Sequence, residues 1–388
     1  MTSDGSYQPA TTAAIGRVVA RGGQVEVIST PSPQLRSGEI LVGTEHSVIS
    51  PGTERTIIDA TRSEGWLSHE YPAADQTWPA TRSEGVRKDL LLPRSPSTEW
   101  ASLGYSIAGR VLAVADDVAD ISPGDQVACA GSQCAFHAEQ TAVPRSLAVA
   151  IPPGLGTDLA AFVTLGSISL EALRRSRRTL GETIVVFGCG VLGVLVTMLA
   201  RAAGIYVIAV DPQPDRREVA RAAGAIAVLD GREAGFAGEV QARTGGFGAD
   251  AAIVTVTTED SSVVNSALDA LRQGGVIVGV GQFGMAPDRD RWFGAQATFV
   301  PSVAYGPGRY DPVYEENNWD YPLSVVRWTE NRNMGAFLRL AADGVIDLSA
   351  IPVGKVACSD APSVYALLAA GGLPLTGVLC YHDSSRTC

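Results

Sequence analysis

The chain has 388 residues, 46% of them hydrophobic and 18% charged, which is enough for two domains with substantial cores. Its formal net charge of −11, with no basic stretch to offset it, argues against a phosphate-backbone partner, so no nucleic-acid binding is expected. No apolar run reaches membrane-spanning length, and residues 1–12 lack the basic start and apolar core of a signal peptide. A cytoplasmic protein without membrane attachment is therefore expected.

Residues 14–50 alternate apolar and polar positions, as in Gly16-Arg-Val-Val-Ala20 and Glu39-Ile-Leu-Val-Gly43, and read as short antiparallel strands. Residues 51–100 lose periodicity and hold two identical hexapeptides, Ala60–Gly65 and Ala80–Gly85. Two copies are too few for a repeat architecture, and a long loop or small helical insert near an active site is expected instead. Strand patterns resume at Gly104–Ala115, Gly124–Cys129 and Gln140–Ile151 and stop at Pro152-Pro153-Gly154. Helical spacing covers Leu159–Arg175.

From Thr183 to Val280 the pattern alternates. Strands are expected at 183–187, 206–210, 226–229, 251–256 and 275–280, with helices near 191–203, 215–223, 235–243 and 261–272. Such alternation makes a doubly wound parallel sheet. After about residue 306 come an aromatic, polar loop and helices near 333–343 and 360–370. A last strand, Thr376–Tyr381, is expected to pair back into the first domain.

The run Thr183-Ile-Val-Val-Phe-Gly188-Cys-Gly190-Val191-Leu192-Gly193 is a strand, a glycine turn and a helix start. Gly188 permits the turn, Gly190 lets a pyrophosphate approach the backbone, and Gly193 allows close packing of helix on strand. The helix N-terminus then offers free N–H groups to phosphates. Asp211 ends the next strand, where a carboxylate accepts from ribose hydroxyls. A dinucleotide site follows. Asp211 favours NAD over NADP, while Arg216 and Arg217 stand near enough to leave NADP open.

Six cysteines (Cys129, Cys134, Cys189, Cys358, Cys380 and Cys388) form no CxxC pair, and read as buried or incidental thiols rather than a zinc or disulfide framework. His137, among small and apolar residues, is either a group tuned for acid–base work or a hydrogen-bonded structural histidine. The concentration of Arg309, Tyr310, Tyr321, Arg327, Trp328, Asn331 and Arg332 suggests recognition of a polar substrate with an anionic or saccharide-like part. The alternative is a loop held by its own cation–π contacts.

Several of these pieces carry a likeness. Ser50-Pro-Gly-Thr-Glu54, Leu103–Gly109, Ser122-Pro-Gly-Asp-Gln-Val127, the Gly188/Gly190/Gly193 turn and Gly274–Gly279 resemble the medium-chain dehydrogenase/reductase superfamily. The segments Tyr305-Gly-Pro-Gly-Arg-Tyr310, Asp320-Tyr-Pro322 and Val326–Asn333 resemble its zinc-free branch of bi-domain, bacteriochlorophyllide-dehydrogenase-like oxidoreductases. The resemblance implies a GroES-like β-barrel domain, from residues 1–157 and 307–388, around a Rossmann domain at 158–306. It also implies a homodimer joined at Rossmann sheet edges, through Gly275–Val280 and Gln296–Val303.

Zinc members of that superfamily carry ligands where this chain has Ser50–Glu54, Tyr105-Ser106 and Thr164, so no catalytic or structural metal is expected. Tyr105, in place of a ligand, is expected to exchange a proton with a substrate oxygen, or else to be a buried structural tyrosine. The resemblance assigns Thr53 to proton relay and Glu54 to the carboxylate behind it, although Glu54 could simply pair with Arg55. It also puts Thr164 beside the cofactor. The activity these features imply is zinc-independent hydride transfer between a nicotinamide and a polar alcohol or ketone of biosynthetic metabolism. Enoyl or quinone reduction, or dinucleotide binding without turnover, are the alternatives.

Overall fold

The computed structural model describes residues 14–62, 100–372 and 374–381. The second hexapeptide and the end of the first lie outside the described residues.

The alternating N-terminal pattern folds into β1 (Ala14–Arg21), β2 (Gln24–Pro31) and β3 (Glu39–Val48), followed by a helix at Pro51–Ala60. Next come β4 (Ala101–Ser102), β5 (Ser106–Val114), β6 (Gln126–Ala130), β7 (Gln140–Pro144) and β8 (Ala148–Ala150). β1 joins β2 and β4 in a three-stranded sheet. The others enter a larger sheet that is completed from the far end of the chain. There, β15 (Val353–Ala357) and β16 (Thr376–Cys380) pair in parallel, and β16 pairs antiparallel with β3, Val378 facing Val48.

Between these halves lies a six-stranded parallel sheet. Its strands are β9 (Thr183–Phe187), β10 (Tyr206–Val210), β11 (Ala227–Leu229), β12 (Ala249–Val254), β13 (Leu271–Gly279) and β14 (Thr298–Pro301). They lie in the order β11-β10-β9-β12-β13-β14, so the direction of winding reverses between β9 and β12. In this arrangement the crevice beyond the carboxyl ends of those two strands is where ligands bind.

The apolar run of β9 explains its central place. Both faces are covered, and successive side chains point to opposite sides. Ile184 and Val186 pack with Val194, Leu195 and Leu165, whereas Val185 and Phe187 pack with Phe236, Val240 and Val264 on the other face. The first cluster runs on without interruption into Ile40, Ile107 and Val127 of the seven-stranded sheet, so one core spans both sheets.

Boundaries differ in several places, two of them with a visible cause. The helical stretch around Leu159–Arg175 is two helices, Thr157–Ala160 and Val163–Ser176, broken at Ala161-Phe162. The longer one has a notch at Gly166, where a Cβ would lie 2.1 Å from the Phe337 ring of the helix Glu330–Ala342. β13 starts at Leu271 rather than 275, because a register shift between Ala249 and Ala251 lets the chain pair on both sides of the Gly274-Gly275 irregularity.

Candidate active site

The glycine turn closes against the neighbouring strand. Gly188 has φ +95°, and a Cβ there would stand 2.7 Å from Val256 Cγ1 and 2.8 Å from Thr255 Oγ1, just past β12. Any other residue would be strained and would push the two strand ends apart. A Cβ on Gly193 would be 1.8 Å from the Gly188 carbonyl oxygen, so the helix Val191–Ala202 sits directly on the turn. Beside Gly190, by contrast, a Cβ would meet nothing within 4 Å. Space is open where a phosphate would approach, at the helix end whose first N–H groups, from Val191, Leu192 and Gly193, lack intrahelical acceptors.

Asp211 is buried at the end of β10, and its carboxylate accepts from the Cys189 N–H at 2.9 Å and the Gln213 N–H at 2.8 Å. It thus braces the turn from below with lone pairs remaining for ribose hydroxyls. Arg217 donates to the Asp211 and Pro212 main-chain oxygens at 2.8 and 3.2 Å and lies 3.7 Å from Asp230. Arg216 is half-buried. The crevice therefore has the parts that hold a dinucleotide.

A second set of groups gathers at the start of the Pro51–Ala60 helix. Ser50 is its N-cap residue, and Pro51 fits the first helical position because the missing N–H costs nothing there. The Ser50 hydroxyl makes no capping bond; it accepts from the Tyr105 hydroxyl at 2.6 Å and lies 3.4 Å from Thr53 Oγ1. Burial pushes the Tyr105 phenol up to about 12, with the bonds to Ser50 and Thr53 partly opposing it. Tyr105 is therefore a neutral proton donor across the physiological range.

The next residue of this helix, Gly52, faces the other domain: a Cβ there would lie 3.6 Å from Thr257 Oγ1. Thr255 touches the glycine turn, and Thr257 lies against Gly52, between Ser50 and Thr53 in the chain. Two residues of extended chain reach at most about 7 Å. The hydroxyls and the dinucleotide crevice thus open on the same side of the parallel sheet.

Behind the hydroxyls runs a buried polar chain. Glu54 accepts from the Ser50 N–H at 2.7 Å, from His137 Nε2 at 3.2–3.3 Å and from the Tyr365 hydroxyl. His137 Nδ1 is 2.7 Å from Ser47 Oγ, which is 3.0 Å from the Tyr381 hydroxyl. Glu54 and His137 are both fully buried, so neither meets a ligand directly. Arg55, the alternative partner read from sequence, lies instead 3.8 Å from Asp59. Ser47, Tyr365 and Tyr381 had no signal in the sequence, since their contacts cross more than 300 positions or turn inward from strands.

Thr164 is also fully buried. Its hydroxyl donates to the Tyr105 carbonyl at 3.0 Å and its N–H donates to Ser106 Oγ at 3.1 Å, so it holds the backbone that carries Tyr105. Zinc requires sulfur, imidazole or carboxylate ligands. At the places that would supply them stand Ser50, Tyr105, Ser106 and Thr164, and among the described residues no three His, Cys, Asp or Glu side chains could share an ion. These residues do not fit a catalytic zinc.

The arginine and aromatic residues divide. The Arg309 guanidinium turns inward, 4% exposed, to Glu315 at 2.5 Å, Ser132 Oγ at 2.9 Å and Gln133 Oε1 at 3.1 Å, and sits 4.2 Å over the Tyr310 ring. Trp328 is clasped between Arg174 at 3.4 Å and Arg327 at 3.8 Å. The loop's own contacts therefore occupy Arg309 and Trp328, while Arg327 remains exposed and Tyr310 half-buried. Next to Arg309, Glu330 is fully buried with neither carboxylate oxygen hydrogen-bonded.

The fold is α/β, a Rossmann-like parallel-sheet domain beside a separate sheet domain. Residues 191–313 match the family model described as zinc-binding dehydrogenase. A 196-residue stretch is 35% identical to the phthioceranic/hydroxyphthioceranic acid synthase of Mycobacterium tuberculosis, covering 48% of this chain and only 9% of that much longer protein. Over 95% of the chain the fold matches the whole of an alcohol dehydrogenase from Thermus sp. ATN1, with a TM-score of 0.72 at 20% identity. It also matches the whole of a mycobacterial quinone oxidoreductase over 95% of the chain, at 0.68 and 21%. Residues 191–313 thus resemble that family, and the described chain shares the fold of these solved oxidoreductases. Among the described residues no helix is long and apolar enough to cross a membrane.

Proposed function

We propose that the protein is an NAD(P)-dependent oxidoreductase that works without catalytic zinc, reducing or forming the carbonyl of a polar alcohol/ketone pair. One observation carries this reading: a buried phenol, hydrogen-bonded to Ser50, stands where metal ligands are missing, at the start of a helix whose Gly52 lies against Thr257, two residues past the Thr255 that touches the glycine turn. A bound dinucleotide would supply or accept hydride. Tyr105 gives its proton to the oxygen that becomes a hydroxyl. Ser50 and the exposed Thr53 return a proton from solvent, and in the reverse direction carry it away. Asp211 favours NAD, because its charge opposes a 2′-phosphate.

Reduction of a conjugated double bond is the second reading. A neutral phenol protonates an enolate as well as an alkoxide, and the fold is shared with both an alcohol dehydrogenase and a quinone oxidoreductase. The test is deuteride tracing from C4-labelled NADH across keto-sugars, keto-cyclitols, enones and quinones. Label on a carbinol carbon establishes the first reading, and label β to a carbonyl establishes the second. Tight NADH binding with no transfer to any of these compounds would mean a dinucleotide-binding protein without turnover.

A homodimer joined through the edge strand β14 fits the exposed Phe293 and Trp292 beside it. Sedimentation velocity of a Phe293→Asp variant tests it, with a shift to monomer expected.

A further inference from the structure

The end of β10 carries more positive charge than Asp211 alone suggests. β10 and β11 lie side by side, with Val210 opposite Leu229, so Asp211 and Asp230, just past them, are neighbours. The Asp211 N–H donates to the Leu229 carbonyl at 3.1 Å. Two arginines converge on this place. Arg217, in the helix Pro214–Ala222, reaches back and donates from Nη1 to the Asp211 and Pro212 carbonyls at 2.8 and 3.2 Å. Arg232, from the turn after β11, brings Nη2 to 3.4 Å from the same Pro212 carbonyl.

One carboxylate engages both guanidiniums. Asp230 Oδ2 lies 2.6 Å from Arg232 Nη2 and 3.7 Å from Arg217 Nη1. Its other oxygen accepts from Arg232 Nε at 2.9 Å and from the Arg232 N–H at 3.0 Å. The bonds from the Arg232 side chain hold the Asp230 carboxyl down at about 2, so it stays charged throughout the neutral range.

NADP differs from NAD only by a phosphate on the 2′ oxygen of the adenosine ribose. That group adds about two negative charges, and the fork of an arginine is the side chain best shaped to meet it. Free guanidiniums beside Asp211 would serve such a phosphate. Paired with Asp230 they are neutralised within the protein.

We propose that Asp230 sets the cofactor preference: it is a positioning residue that keeps Arg217 and Arg232 from a 2′-phosphate and so confines the site to NAD. The inference rests on the dinucleotide reading above. Asp211 opposes the phosphate by its own charge, whereas Asp230 acts through its two partners.

The test compares the dissociation constants of NADH and NADPH, each read from nicotinamide fluorescence. Wild-type protein should bind NADH at least about tenfold more tightly. Asp230→Asn, which keeps the shape and removes the charge, should move the ratio toward NADPH by about tenfold. Asp230→Glu, which keeps the charge, should leave the ratio within about twofold of wild type. In a background of Arg217→Gln and Arg232→Gln, the same Asp230→Asn change should shift the ratio by less than about twofold, because the groups it releases are gone. An unchanged ratio in Asp230→Asn overturns the proposal. A full shift that persists without the arginines also overturns it, since that is plain charge repulsion. So does wild-type protein that already prefers NADPH. Wild-type protein that binds neither dinucleotide removes the dinucleotide reading itself, and the proposal with it.

Discussion

Glu54 and Glu330 occupy equivalent local positions and opposite environments. Each lies in the first turn of a helix, and each is fully buried. Glu54 accepts from Ser50, His137 and Tyr365. Glu330 accepts from no described side chain or N–H, and burial together with the nearby Glu315 pushes its carboxyl well above the usual carboxylate range, Arg309 opposing. One carboxyl is satisfied by three donors, the N–H at the cap of its own helix and two side chains 83 and 311 positions away. The other is accommodated by keeping its proton. A buried acid can thus be a junction or a neutral filler, and only its tertiary partners decide which.

The same conservative change at both positions should break or sharpen this contrast. Glu54→Gln presents an amide N–H₂ to groups that were donating, and should cost about 3 kcal/mol of stability by denaturant titration. A loss below about 1 kcal/mol would sink the junction role. Tyr105→Phe, in front of that junction, should lower kcat by about 100-fold while leaving NADH affinity intact. It should also alter alkaline stability. The wild-type phenol is raised from 10 to about 12, so its contribution is whole below pH 10 and is lost as pH rises through about 12. The phenylalanine variant should lack that decline.

Glu330→Gln should behave in the opposite way. The raised carboxyl contributes stability fully below its unfolded pKa of about 4.3 and loses it as pH rises toward the folded value. The glutamine variant should therefore match wild type at pH 4 and exceed it at pH 8, by at most about 1.4 kcal/mol for each pH unit between. Equal stability at both pH values would contradict a protonated Glu330. The smallest effect is expected outside both networks. Arg327→Ala removes one of two guanidinium faces on Trp328 and should cost about 0.5–1 kcal/mol in thermal unfolding, with NADH affinity unchanged.

Five of the six strands of the parallel sheet were legible because their signals are local, while β14 was not among the expected strands. Each strand is an apolar run bounded by turn residues, and β9, β10 and the helix after Gly190 fall within a residue of their expected bounds. The break at Ala161-Phe162 was not legible, since no Gly or Pro marks it. The glycine turn and the place of Asp211 at the end of β10 could be read for the same reason as the strands. The hydroxyl site was half legible. Tyr105 and Thr53 could be placed by likeness, but Ser50 as the atom between them depends on a contact across 55 positions. Nothing in the spacing marks Glu315 as the partner of Arg309, and an arginine-rich loop looks alike in sequence whether its charges face a ligand or one another.

The strand that completes the larger sheet has a consequence in time. Thr376 donates to the Ile49 carbonyl from 327 positions away, and β16 lies along an edge of β3 for which no earlier strand substitutes. The ribosome therefore releases every residue of the parallel sheet before the larger sheet begun by β3 can finish. Closing so long a loop is slow compared with the neighbouring βαβ pairings. Refolding should then show the parallel sheet protected from amide exchange ahead of β3 and β16, with Tyr105 reaching its working position last of all.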